Sequence, residues 1–490
     1  MMTSLPASRT PPLLRAVAAT LLLAGLVSGC SMAPAYQRPA APVPDTFPAT
    51  PPAAGAAAPA ASAPSTQAPL AAADTAWRTF FPDGRLQQII ATALDNNRDL
   101  RIAALRIEEA RGAYRIQRAD RLPALNASLA GSRSRTPGFA NAGGQSQVGE
   151  RYDAGLAIPA FELDFFGRVK SLSDAALSSY LATEEARQAA HISLVAEVAK
   201  AYYTERALAE QQALAERTYE ARKRTFELTR QRVEGGASSR LDLRSNEQQM
   251  ETARAAALSL ARQRAQASNA LNLLAGQPVQ PADGAAPLAD SVADTVATLS
   301  AGLPSDLLAK RPDIRAAELR LKAANANIGA ARAAFFPRIT LTTAIGSASR
   351  EFSGLFDSGN DTWSFTPQLV LPIFDAGRNL ANLDVSHARK NIAVADYERT
   401  IQQAFREVAD ALAAKTYLGE QVAAQRAVQD AQAERLRLLQ LRFENGVASS
   451  LDVLDAQREL FSAEQALVQA RLLRTTSAID LYRALGGGLK

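Results

Sequence analysis

The run Arg442-Phe443-Glu444-Asn445-Gly446-Val447-Ala448-Ser449-Ser450-Leu451-Asp452-Val453-Leu454-Asp455-Ala456-Gln457 stands between two long stretches rich in Ala, Glu, Gln and Arg. A Gly at the end of such a stretch caps a helix, because it adopts the left-handed conformation without a Cβ clash. The Ser residues that follow can cap the next helix. The run therefore reads as the tip of a helical hairpin. It has an echo in Arg232-Val233-Glu234-Gly235-Gly236-Ala237-Ser238-Ser239-Arg240-Leu241-Asp242-Leu243. Arg232 and Arg442, Gly236 and Gly446, and Asp242 and Asp452 are each 210 residues apart. The chain reads as a duplicated unit with two hairpins.

The flanking pattern predicts a helix from about Gly167 to Arg232, returned by Leu241 to Ala275. A second copy runs from about Gly377 to Glu444 and from Ser450 to Leu485. The first of these would span roughly 95 Å. Ile192, Val195, Ala199 and Tyr202 show coiled-coil spacing,. Tyr219, Phe226 and Val233 fall seven apart, and Leu436 and Phe443 repeat two of these places. One hairpin could not bury so many apolar residues, so partner helices from other chains are expected.

Upstream of each hairpin lie a helix and two strands. Arg85 to Ala119 and Ser305 to Ala334 are the helices, with Asp99-Leu100-Arg101 matching Asp313-Ile314-Arg315 at an offset of 214. The drop to 210 at the hairpins places a four-residue loss in the β segments. Leu125, Ala127 and Leu129 alternate with Asn126 and Ser128, and Tyr152, Ala154, Leu156 and Ile158 alternate with Asp153, Gly155 and Ala157. After Pro159 the phase shifts to Phe161, Leu163 and Phe165. Ile339, Leu341, Thr343 and Ile345, then Trp363, Phe365, Leu369, Leu371 and Ile373, alternate in the same way. Period two is the mark of strands. Their lengths are near the roughly 9–11 residues of a tilted membrane strand. They suit a half-buried soluble sheet equally. Four strands cannot close a barrel alone, and an open sheet in lipid leaves backbone groups unpaired. In a membrane, several chains would have to pool them.

Residues 1–29 carry Arg9 and Arg15, an apolar run from Ala16 to Leu26, and no acid. They read as an export signal too short to span a membrane. Leu26-Val27-Ser28-Gly29-Cys30 resembles a bacterial lipobox, against the reading of an ordinary signal with a chance cysteine. An acylated Cys30 would be the mature N-terminus and an anchor. By analogy with such lipoproteins, Ser31 after it would favour the outer membrane. Residues 33–73 are almost all Ala, Pro, Ser and Thr and read as an extended tether, with order beginning near Trp77,. The organisation expected is therefore signal 1–29, lipidated Cys and tether 30–76, first repeat 77–275, joining segment 276–304 and second repeat 305–490.

Removing the leader lowers the net charge from +5 to +3, too mild and evenly spread to suggest nucleic acid,. One cysteine excludes an intrachain disulfide,. His191 and His387 occupy inequivalent places and no cluster has metal-ligand spacing, so both read as packing or surface residues. No phosphate loop and no nucleophile arrangement is visible. The chain reads as a non-enzyme without metal or cofactor, apart from the lipid expected on Cys30.

Six landmarks stand in order along the chain: Phe161-Glu162-Leu163-Asp164-Phe165-Phe166-Gly167-Arg168, Arg311-Pro312-Asp313-Ile314-Arg315-Ala316-Ala317-Glu318, Phe336-Pro337-Arg338-Ile339-Thr340-Leu341, Pro372-Ile373-Phe374-Asp375-Ala376-Gly377-Arg378, the 442–457 tip, and Ala484-Leu485-Gly486-Gly487-Gly488. Together they resemble the TolC-type outer-membrane factor family, in its OprM/NodT-like lipoprotein branch. The resemblance implies an α+β membrane protein. Three copies would pool four strands each into a twelve-stranded outer-membrane β-barrel, continued by a periplasmic α-helical barrel. It implies an exit duct of a tripartite efflux pump for drugs or other small molecules, reaching a periplasmic adaptor and an inner-membrane transporter of the RND type. A duct for type I protein secretion, or a structural coiled-coil lipoprotein, is the rival reading.

The resemblance also places the periplasmic aperture at Leu451, Asp452 and Asp455. These share a helix face by spacing, and in a trimer would form an apolar ring and two carboxylate rings that raise one another's pKa and attract cations. On the residues alone, Asp452 and Asp455 equally decorate a first helical turn, where acids suit the dipole. In the first-repeat tip Leu241 and Asp242 match, but Ser245 stands where Asp455 does, so the gate is placed on the second copy. Gly236, Ala237, Ser239, Gly446, Val447 and Ser449 are candidates for adaptor contact or for plain turn chemistry. Some relatives have Tyr at the place of Phe443, which lacks the hydroxyl.

Overall fold

The computed structural model describes residues 31–48, 70–71, 75–140, 144–280, 292, 299–300, 304–445 and 447–489. The expected leader, Cys30 and Gly446 lie outside the described residues. Helix α1 (Gly84–Asn96) follows a single turn at Trp77–Phe80 and leads into α2 (Arg98–Ala119). Strands β1 (Asn126–Thr136) and β2 (Gln147–Leu163) precede α3 (Arg168–Glu234) and α4 (Arg240–Ala275). The second copy gives Pro304–Lys310, α5 (Pro312–Ala333), β3 (Arg338–Ser349), β4 (Asp361–Val370), α6 (Arg378–Glu444) and α7 (Ser450–Ala484). No described helix is long and apolar enough to cross a membrane.

The duplication survives at residue level. Helices α3 and α6 are both 67 residues long, and both their ends keep the offset of 210. The offset of 214 still holds at the starts of β2 and β4, Gln147 and Asp361. The four residues are therefore lost between the start of that strand and the helix that follows. The phase shift after Pro159 is a bulge: pairing of β2 with β3 slips between Ile158 and Phe161, and Ala160 takes φ 44°. Bulges of this kind re-aim a strand and everything after it.

The chain forms two compact units. One comprises residues 1–40, 107–183 and 317–397 and holds the four-stranded antiparallel sheet, ordered β1-β2-β3-β4. Its register sorts the side chains into two faces. Leu129 sits on the face of Ala154, whose neighbours Leu156 and Ile158 pair with Ile345 and Thr343, and these with Trp363 and Phe365. Beyond the bulge Phe161, Leu341, Leu163, Ile339 and Leu369 continue that apolar face. The other face carries Asn126, Ser128, Gly155, Ala157, Ala344, Gly346, Thr342, Ser364 and Thr366. Trp363 and Phe365 are 77% and 60% exposed, so nothing among the described residues covers the apolar face at β4. At the foot of the sheet the Glu162 carboxylate accepts two hydrogen bonds from Arg168, at 2.8 and 2.7 Å. It also forms an ion pair with Arg338 at 2.8 Å, fixing the start of α3 against β3.

The other unit comprises residues 41–106, 184–316 and 398–490. Asp83 caps α1, whose Leu86, Ile89, Ile90 and Ala93 are buried at helical spacing. Asn97, between α1 and α2, is a second cap: its side chain accepts from Leu100 N and donates to Leu274 O, each at 2.9 Å. The Tyr482 ring stacks on Phe80 with centroids 3.9 Å apart and donates its hydroxyl to Thr75 O at 2.6 Å. Arg311, 7% exposed, is held by Asp313 at 2.6 Å, Glu407 at 3.0 Å and the Ala484 carbonyl at 3.1 Å. Arg315 pairs with Glu185.

One expectation is corrected. The stretch read as a tether does not stay free until Trp77. Its composition hides three residues that can dock: Phe47 stacks on Phe405 at 5.1 Å, and Tyr36 and Arg38 bind Glu318.

Candidate gate at the helical hairpin tips

Both tips are built by local chemistry. In the first, Ala237 N donates to Arg232 O at 2.7 Å and Gly236 N to Val233 O at 3.0 Å, the paired bonds that end a helix on a left-handed residue,. That residue is Gly236, with φ 74°, which costs a glycine little. In the second, Val447 N donates to Arg442 O at 2.8 Å. Gly236, Ala237, Ser239, Val447 and Ser449 are exposed, and Leu241 and Leu451 stand 76% and 70% exposed at equivalent places. Phe443 is 38% exposed.

The returning helices start alike. Ser449 Oγ accepts from Asp452 N at 3.2 Å, and the Asp452 carboxylate accepts from Ser449 N at 3.0 Å and Ser449 Oγ at 2.7 Å. Ser239 and Asp242 make the same capping box, at 3.1, 3.3 and 2.7 Å. This satisfies two backbone donors that a helix start leaves orphaned. The Ser449 bonds hold the Asp452 carboxyl below the usual carboxylate range, and the Ser239 bonds do the same for Asp242. Expected mutual repulsion would have raised Asp452. Within the chain its carboxylate turns back on its own cap, and so does its counterpart.

Asp455 is different. Its carboxylate receives Arg458 at 2.5 Å from the next turn of α7 and Arg435 at 3.4 Å from α6. The spacing reading placed Asp452 and Asp455 together on one face; the structure gives each its own partner. The first repeat has none of this second set: Thr225, Ser245 and Gln248 occupy the places of Arg435, Asp455 and Arg458. Sequence reading found the Ser245 difference but missed the two arginines. Comparing the repeats position by position would have found them, because all three charges are present in one copy and absent from the other. Beside the pair, Leu438, Leu439, Leu441 and Val447 line an open groove of about 830 Å³, edged by Glu434 and Arg442. Among the described residues no cluster of His, Cys, Asp or Glu could hold a metal ion.

The family model described as outer membrane efflux protein matches residues 89–277 and 303–487. The chain belongs to the outer membrane efflux protein family. The efflux chain is 49% identical over 474 residues to outer membrane protein OprJ of Pseudomonas aeruginosa, covering 96% of this chain and 95% of OprJ. It is 48% identical over 463 residues to the toluene efflux pump outer membrane protein TtgC of Pseudomonas putida, covering 94% and 93%. Its fold matches the open state of the MtrE outer membrane channel of Neisseria gonorrhoeae with a TM-score of 0.81 at 43% identity, over 94% of this chain and 99% of that one. A membrane protein from Pseudomonas aeruginosa matches with a TM-score of 0.83 at 47% identity, over 93% and 100%. The function is that of the family: this is an outer-membrane exit duct for efflux.

Proposed function

We propose that three copies of this chain close a twelve-stranded barrel in the outer membrane, and that the duct is passive. The observation that carries this is the two-faced open sheet. Its apolar face suits lipid, its opposite face is small and polar, and its outer strands β1 and β4 have free edges. Unpaired strand edges do not persist in a bilayer, so copies must join edge to edge. Two copies would give eight strands, an interior just filled by side chains. Three are the fewest that leave a lumen, and Gly155, Gly346, Ala344 and Ser364 would line it.

In this reading Leu451 and Asp455 form the aperture, with Arg435 and Arg458 holding Asp455 in the resting tip. Asp452 caps the helix that carries them. The exposed residues Gly236, Ala237, Ser239, Val447 and Ser449, with Gly446 between them in sequence, offer small surfaces to a periplasmic adaptor. That adaptor would connect an inner-membrane transporter of the RND type, which supplies the energy. The cargo class is that named for related efflux proteins of Pseudomonas putida, antibiotics and solvents such as toluene, chosen upstream of the duct. Cys30 would carry the lipid anchor.

The test is single-channel recording of the purified protein in a planar bilayer. Small cation-selective steps from a trimer are the expected result. A monomer in detergent that never conducts would overturn the proposal.

A further inference from the structure

The motif Arg311–Glu318 is only half explained by the ion pairs of Arg311 and Arg315. Its last member, Glu318, is a 6% exposed carboxylate on α5. It accepts Arg38 Nε at 3.1 Å, Arg38 Nη2 at 2.7 Å and the Tyr36 hydroxyl at 3.2 Å. Lys322, one turn along, pairs with it at 3.2 Å and lies 5.2 Å from the Tyr36 ring centre. A buried carboxylate is costly unless paired and hydrogen-bonded, and here the chain's own N-terminal segment supplies two of the three partners. Burial pushes Glu318 up, but Arg38 and Lys322 outweigh it and hold the carboxyl below the usual range.

Two more contacts continue the same line along α5. Asn325 Nδ2 donates to Pro34 O at 2.7 Å. At Gly329 the helix has no side chain, and a Cβ there would meet Ala33 N at 2.7 Å and Ser171 Oγ at 2.6 Å. Ala33, Pro34 and Arg38 thus meet Gly329, Asn325 and Glu318 in reverse order. The lengths agree. Eleven helical steps from Glu318 to Gly329 cover about 16 Å, and five extended steps from Ala33 to Arg38 cover about 17 Å. The segment lies extended and antiparallel on the helix.

We propose that residues 33–38 are a docking strap with Glu318 as its receptor and Gly329 as its notch, holding the amino end of the mature chain at the foot of the sheet. Gly329 is near the end of α5, just before β3, and Ser171 is in the first turn of α3, just after β2. Cys30 is three residues from Ala33, a reach of at most about 11 Å. A lipid on that cysteine would enter the membrane beside the strands of its own copy. This last step rests on the proposed acylation; the strap itself does not.

The test places a spin label on Gln37→Cys, an exposed strap residue that makes none of these contacts, in the purified mature protein in detergent. Its mobility is read in the parent, in Glu318→Ala, in Arg38→Ala and in Gly329→Leu, with trimer content as the check on folding. Intact mass reports the acyl group on Cys30 separately. The parent label should be immobilised, and each variant should lose most of that component while remaining trimeric. An immobilised label in all three variants, or a mobile one in the parent, would overturn the strap. Where the acyl mass is absent, Cys30→Ser keeps the label on Gln37→Cys alone, and immobilisation there supports the strap and removes only the anchor.

Discussion

Arg435 reaches from one arm of the second hairpin to the Asp455 carboxylate on the other arm, at 3.4 Å, with Arg458 on the same carboxylate at 2.5 Å. The first hairpin carries Thr225, Ser245 and Gln248 at these places. All three charged groups are partly exposed, and such pairs contribute only about 0.2–1 kcal/mol each. They are therefore poor staples and good latches.

Arg435→Ala with Arg458→Ala should leave thermal stability almost unchanged, within about 1–2 kcal/mol. It should raise single-channel conductance several-fold and increase cation selectivity, because Asp455 keeps its charge and loses its ties. The matched change Thr225→Ala with Gln248→Ala in the first hairpin should leave both readings alone. Equal effects from the two hairpins would remove the gate from the second.

Ser449→Ala should loosen the first turn of α7. Amide exchange over residues 450–453 should quicken by about fivefold, the usual worth of a capping serine. The pH dependence follows from Asp452. Its carboxyl is held low in the fold by Ser449, so this stabilisation is complete above the unfolded value of about 3.9. It is lost as pH falls further, through the folded value. Protection at both tips, the exchange rate measured against the intrinsic rate at each pH, should therefore fall below about pH 4, and Ser449→Ala should abolish that fall at the second tip,.

The two faces of β4 should respond oppositely to the same charge. Phe365→Arg puts a cation on the apolar face, at a cost of roughly 2–4 kcal/mol near the bilayer midplane. It should cut assembly into vesicles sharply. Ser364→Arg, one residue earlier on the polar face, should assemble normally and lower conductance. Assembly is read by heat-resistant trimer on a gel and conductance in the bilayer.

Arg311→Met removes the centre of a buried ionic cluster and leaves Asp313 and Glu407 without it. Breaking such a pair costs about 3–5 kcal/mol. The melting temperature should fall and recovery of folded protein with it. Asp313→Asn, at the exposed edge of the cluster, should cost much less.

Much of the fold is legible in the sequence because it is periodic. The 210-residue offset gives both hairpins, period two gives four strands, and Pro159 marks the bulge that the register shows at Ile158 and Phe161. What stayed hidden is contact between segments distant in sequence. Residues 33–73 look like a tether because composition is averaged; Tyr36, Arg38 and Phe47 are among the exceptions in that average, and they dock. At the tip, helical spacing put Asp452 and Asp455 on one surface. It could not show that Asp452 would fold back onto Ser449, a bond set by the cap's backbone geometry, or that Asp455 would find a partner across the hairpin.

A duplicated chain whose halves differ at three charged positions has a further consequence. Three copies arranged in a ring present six hairpins, but of two alternating kinds. Perfect sixfold motion is denied to such an aperture. In the proposed duct it would dilate as a triangle, three paired corners moving against three inert ones, and any single substitution at a corner would be felt three times in every ring.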